Sequence, residues 1–203
     1  MGPGTGARRS VEGVTEQQQY DVIERHAGFE LRRYPGHLVA EVTVHGTFGE
    51  AGNSAFRSLF RYITGHNEGR RSVAMTAPVL QEPAPAEKVA MTAPVLQTET
   101  ADGDHVVAFV LPASLTEDTA PVPADPQVSL RAVPERLSAV VRYSGRWSEE
   151  AYRRHLTELL AAVRDAGLVP IGAPRFARFN PPFTPWFLRR NEVVQDVARA
   201  ADA

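Results

Sequence analysis

Residues Phe29–Glu50 read FELRRYPGHLVAEVTVHGTFGE, and residues Val128–Glu149 read VSLRAVPERLSAVVRYSGRWSE. Laid on one another with a shift of 99 residues, the stretches agree at eight of 22 positions. The identities are Leu31/Leu130, Arg32/Arg131, Pro35/Pro134, Leu38/Leu137, Ala40/Ala139, Val42/Val141, Gly46/Gly145 and Glu50/Glu149, and Phe48 meets Trp147 besides. In each stretch a β-favouring run ends in a proline turn, an alternating apolar run follows, and a glycine punctuates the chain. A helix signal comes next: Thr47-Phe-Gly-Glu50 has the form of a capping box, and Ser148 is a suitable N-cap. With one residue of slippage the helical stripes also agree, as Phe56/Leu156, Leu59/Leu159, Phe60/Leu160 and Ile63/Val163. A chance match would not preserve turn, glycine and stripe together. The reading is α+β, with pseudo-two-fold tandem β-β-α-β units whose strands merge into one curved, barrel-like antiparallel or mixed sheet, flanked by two long helices.

The rest of the chain fits around these units. Tyr20–His26 and Phe29–Tyr34 read as a hairpin about Ala27-Gly28, and Gly65 and Gly167 end the two helices. The segment VAMTAPVLQ occurs twice, at Val73–Gln81 and Val89–Gln97. Its proline, Pro78 or Pro94, has no N–H to give a sheet ladder, so each copy belongs at an edge, a bulge or a strand end. His105–Leu111 reads as a strand and residues 112–126 as a surface connection. The last segment, Pro174–Val197, gives two strands around an Asn180–Pro185 turn, with Phe176, Phe179, Phe183, Trp186 and Phe187 packed about it. Residues 1–19 read as a flexible tail, 20–198 as one domain with halves at about 20–111 and 128–197, and 199–203 as a second tail.

Composition narrows the function classes. With no cysteine, disulfides, thiolate metal sites and cysteine nucleophiles are excluded together. A net charge of −2 gives no global pull toward nucleic acid or anionic membrane. The Arg8-Arg9 pair has no apolar run behind it and no stretch approaches a membrane span, so a cytoplasmic protein without a nucleic-acid partner is expected. The six histidines never stand at i, i+3 or i, i+4, which argues against a histidine metal site on one helix. Hydrolase-elbow, Walker A and H-E-x-x-H motifs are absent.

On the first helix, Arg57 and Arg61 stand at i, i+4, flanked by Phe56 and Phe60 at the same spacing. Two readings stay open. One is an ordinary amphipathic helix with a core face and a solvated face. The other is a wall that stacks a flat apolar ligand and pairs its carboxylates with guanidinium groups. Met75 and Met91 likewise read as core filler or as axial ligands.

The elements FELRRYPG, YITGHNEG, MTAPV and FNPPFTPWFLRRNEV, together with the half-chain repeat, resemble the SOUL haem-binding protein family from about Tyr20 to Val197. The resemblance implies non-enzymatic binding of haem or related tetrapyrroles in a shallow apolar cleft beside the first helix, for buffering, transport or delivery. The matching positions are Asn53, Phe56, Phe60 and Arg61, with the MTAPV strand and its Met75 nearby, and Arg57 joins them through the stripe described above. In the branch that uses an axial histidine, the corresponding position here is Arg33, which is no iron ligand. His37 is the candidate substitute. In the closing loop some members have a lysine where this chain has Thr184. Binding through the porphyrin face is therefore expected, with no metal site built from protein side chains. The tandem architecture also looks like that of effector-binding domains, so a sensor for other hydrophobic molecules is the alternative, and a tetrapyrrole-degrading enzyme a further one. The protein partner and the physiological tetrapyrrole are not legible.

Overall fold

The two aligned stretches fold alike. The computed structural model describes residues 16–69, 87–100, 102–181 and 183–199, and of residues 51–53 the backbone alone. The elements are β1 (Glu16–Gln17), β2 (Asp21–Arg25), β3 (Glu30–Tyr34), β4 (His37–Val44), α1 (Phe48–Ile63), β5 (Asn67–Glu68), β6 (Thr92–Ala93) and β7 (Val95–Glu99). They continue as β8 (His105–Val110), β9 (Val122–Pro123), β10 (Ser129–Val133), β11 (Arg136–Tyr143), α2 (Glu149–Asp165), β12 (Leu168–Arg178) and β13 (Asn191–Arg199). Shifting β3 and β4 by 99 residues lands on the ends of β10 and β11. Gly46 and Gly145, before the two helices, have φ of 136° and 137°, a backbone region that side-chain-bearing residues rarely enter.

Nine of the described strands form one antiparallel sheet in the order β10-β4-β8-β7-β12-β13-β11-β3-β2. The first strands are exchanged. β3 pairs with β11 of the other stretch, and β10 pairs with β4. The short pairs β1–β6 and β5–β9 lie outside this sheet.

The expectation of a barrel-like sheet is corrected here, because the sheet is open. Closure needs the two outer strands to share a hydrogen-bond ladder. Both outer strands, β2 and β10, are five residues long and largely exposed. β2 carries an irregularity between Val22 and Glu24. On β10, Arg131 reaches back to Glu41 of β4, at 2.6 Å. Short, charged or bulged strands are the features that keep an edge from pairing further.

Both helices cover one face of the sheet. Register makes this explicit, since residues directly opposite across a ladder point the same way. Phe176 on β12 is opposite Gln97 on β7, and Gln97 is opposite Val107 on β8. Phe176 packs under α2 and Val107 under α1. The α1 cluster joins Ala55, Leu59, Tyr62 and Ile63 to Leu38, Ala40, Val42, Val107 and Phe109. The α2 cluster joins Tyr152, Leu159 and Val163 to Leu31, Ala139, Phe176, Val193 and Val197. Fully burying a side chain such as Leu59 stabilises the fold by about 1.5–3 kcal/mol. The other face holds its own apolar set: Tyr34, Val39, Leu96, Ala108, Val110, Val133, Val140, Ala177 and Val194.

The second copy of the duplicated segment enters beside α1. Val89 is buried there and its N–H donates to the Ile63 carbonyl at 2.9 Å. Pro94, after a cis Ala93–Pro94 bond, separates β6 from β7, a strand end as its missing N–H requires. The first copy, with Pro78, lies outside the described residues.

Candidate functional site

Helix α1 begins where the chain is anchored by aromatic packing. Phe48 stacks on Tyr152 at 5.6 Å and on Phe176 at 5.4 Å, which ties its first turn to the α2 half. The Gln97 side chain donates to the Phe48 carbonyl at 2.9 Å and accepts from Arg178 at 2.9 Å. Burial, and then the like charge of Arg189, bring the Arg178 guanidinium down to about 10. Its cation is met by the faces of Phe176 at 5.0 Å and Trp147 at 5.2 Å. The expected capping box is present, with the Glu50 carboxylate accepting from the Thr47 hydroxyl at 2.7 Å and from its N–H at 3.4 Å.

At its other end α1 is held by Asn67, a residue that sequence reasoning gave no role. The Asn67 amide donates to the Tyr62 carbonyl and to the Glu87 carbonyl, both at 2.7 Å, and accepts from the Glu87 N–H at 2.8 Å. One buried side chain thus fastens the end of the helix to the segment that leads into the second MTAPV copy. The only sequence signal was its place in the YITGHNEG stretch.

Between these anchors the helix turns two faces away from solvent to different degrees. Ala55, Leu59, Tyr62 and Ile63 are buried against the sheet. Phe56 and Phe60, expected in the same stripe, are 37% and 43% exposed. Their rings are 5.7 Å apart and inclined by only 15°, and Phe56 meets Phe109 edge-on at 5.4 Å. Such a pair is a flat apolar step on the surface, built on the core through Phe109. Arg57 and Arg61 are exposed on the same turns, and Arg61 donates to the His66 imidazole at 3.0 Å. The structure therefore brings Phe56, Arg57, Phe60 and Arg61 together. Asn53 stands one turn before Phe56 on the same helix, with its side chain outside the description, and Met75 lies outside the described residues.

His37 is elsewhere. It opens β4 on the face that Val39 shares, away from α1. Its Nδ1 donates to the Pro35 carbonyl at 2.9 Å, which leaves Nε2 to accept from the Gln18 amide at 3.1 Å. Burial, helped by Arg175, Arg136 and Arg131, holds its pKa below the ordinary histidine value. Arg33 is on the sheet, within 3.7 Å of Glu135. Among the described residues, no group of three or more His, Cys, Asp or Glu side chains is placed to hold a metal ion. No helix among them is long and apolar enough to cross a membrane.

The closing loop departs from the sequence reading. Phe176 is buried, but Phe183 is 84% exposed, and Trp186, Phe187 and Leu188 are more than half or half exposed as well. The 3-10 turn at Trp186–Leu188 carries these side chains outward. The loop is pinned at its base, where the Arg190 N–H donates to the Asn180 side chain at 2.6 Å and Arg189 to the Thr184 carbonyl at 2.8 Å.

With this geometry in hand, four likenesses are informative. The family model described as SOUL heme-binding protein matches residues 15–196. Heme-binding protein 1 of Xenopus tropicalis is 27% identical over 195 residues, covering 92% of this chain and 94% of that protein. Among solved structures, the EcmrR C-terminal domain superposes with a TM-score of 0.55 at 12% identity, over 89% of this chain and 99% of that one. A hydrolase from Listeria innocua does so with a TM-score of 0.54 at 13% identity, over 91% and 94%. At such identities the two structures speak for the fold alone.

Proposed function

The chain belongs to the SOUL heme-binding protein family, and from that membership we propose that it binds haem or a related tetrapyrrole on the outer face of α1, as a carrier or buffer without catalysis. The observation that carries this reading is the Phe56–Phe60 step, two nearly parallel rings left half-exposed on an otherwise well-packed helix. Large exposed aromatics in register are costly to leave in water and suit the face of a flat macrocycle. Arg57 and Arg61, on the same turns, are placed to meet carboxylates at the edge of such a ring. The fit is to the porphyrin face: rings and guanidinium groups are at hand, while His37 is committed on the other side of the sheet. The iron would supply its own axial chemistry with water or a partner; this chain's residues hold the ring and screen one face.

The test is an absorbance titration of the purified protein with haemin and, in parallel, iron-free protoporphyrin. Saturable binding of both, weakened about tenfold or more by Phe60→Asp with the circular dichroism unchanged, is the expected result. Affinity unmoved by Phe60→Asp in a folded protein would overturn the assignment of this face. Binding of haemin alone, with a shifted Soret band, would replace the face-only mode by one with a protein ligand.

A further inference from the structure

The sheet face opposite the helices has a cavity of its own, of about 60 Å³. By the space one water needs, it has room for roughly four. Its wall is apolar and buried, made by Val39, Leu96, Ala108, Val133, Ala177 and Val194. Its rim is charged: three arginines, Arg131, Arg136 and Arg175, against one carboxylate, Glu192. That carboxylate is neutralised from outside the cavity, with Oε2 held by Arg32 at 2.9 Å and Oε1 by Arg190 at 2.7 Å. Asp196 engages Arg136 through Nη1 and Arg175 through both terminal nitrogens, and Arg131 clasps Glu41. The arginines are thereby fixed in place, and because Arg136 and Arg175 share the single Asp196 carboxylate while Arg131 has Glu41, one positive charge is left in excess. His37 stands among the same groups: burial first, and then Arg175, Arg136 and Arg131, hold its pKa below the ordinary histidine value.

We propose that this cavity is a second ligand site, separate from the tetrapyrrole face, that takes a small aliphatic monocarboxylate. The alkyl tail, of about three carbons by the volume, lies against Val39, Ala108 and Val194. The carboxylate sits at the rim between Arg136 and Arg131, beside the neutral His37. A cation of the same chain length meets guanidinium groups that outnumber their carboxylate partners there and is rejected.

Isothermal titration of the full chain with butyrate, butylammonium and 1-butanol at neutral pH tests this. Saturable butyrate binding with a Kd on the order of 1 mM is expected for so small a ligand, and at least tenfold weaker binding of the other two. Ala108→Leu, which fills the cavity, should abolish it. Arg136→Gln, on a side chain 35% exposed, should weaken it about tenfold. Phe60→Asp should leave butyrate binding as it was, and saturating butyrate should leave haemin binding as it was, so each site stands or falls alone. Equal uptake of butylammonium and butyrate overturns the proposal. So does an absence of saturation at about ten times the expected Kd, or butyrate binding that survives Arg136→Gln undiminished.

Discussion

Glu192 has no exposed surface, and two arginines far apart in the chain hold its two oxygens: Arg32 on β3 and Arg190 just before β13. Removing it leaves Arg190 without its carboxylate and Arg32 with Glu30 alone, so Glu192→Ala should lower stability by about 3 kcal/mol, read from the midpoint of urea unfolding. Asp196 gives a pH signature. Burial alone would raise its pKa, but hydrogen bonds and charge from Arg175, with Ser138 and Arg136, outweigh this and hold it below the usual carboxylate value. A group depressed in the folded state stabilises fully above its unfolded pKa of about 3.9 and loses that contribution as pH falls through the folded value. Thermal unfolding between about pH 4 and pH 2 should therefore steepen because of Asp196, and Asp196→Asn should flatten that limb while lowering Tm at pH 7. Neither network was legible as such. Arg190 stands two residues from Glu192 and meets it at 2.7 Å, but the Arg32 partner comes from 160 residues away and leaves no local pattern.

At the scale of elements, the glycine before each helix is a shared device. Gly145 has open space around the position a Cβ would take, so Gly145→Ala meets no neighbour and its cost is the φ of 137° alone, about 1–3 kcal/mol. Ser148, whose hydroxyl accepts from the Ala151 N–H at 3.3 Å, should cost about 1 kcal/mol as Ser148→Ala. Thermal melts of the two variants should then differ in that order. These elements were readable because caps, turn glycines and helical spacing are local signals: the strands after Pro35 and Pro134, both helices and both caps stand where the residues put them. The division of the α1 stripe was not readable. Phe56 and Phe60 have the same spacing as Leu59 and Ile63, and only the direction from which β4 and β8 approach decides which pair is covered. The aromatic closing loop failed for a similar reason, since prolines announce a turn without saying toward which side it throws its side chains.

For the whole molecule, the exchanged first strands decide what counts as a folding unit. Were each β-β-α-β stretch self-contained, residues 16–111 and 112–203 would fold separately. Since β3 belongs to β11's ladder and β10 to β4's, each fragment alone lacks a strand and exposes a ladder. Each should show little cooperative unfolding by circular dichroism, and mixing the two should restore the melt; a cooperative transition in either fragment by itself contradicts this. The repeat could be counted in the sequence, but the exchange could not, because an alignment of two halves says which residues are alike and nothing about which are neighbours. The exchange also sets a clock during synthesis. Leu31 finds its place opposite Ala139, more than a hundred residues later in the chain. At ribosomal speeds of about 5–20 residues per second, the β2–β3 hairpin waits roughly 5–20 s with an open edge before the strand that covers it has even been made. A nascent chain of this kind is a natural client for a ribosome-bound holding chaperone during that interval.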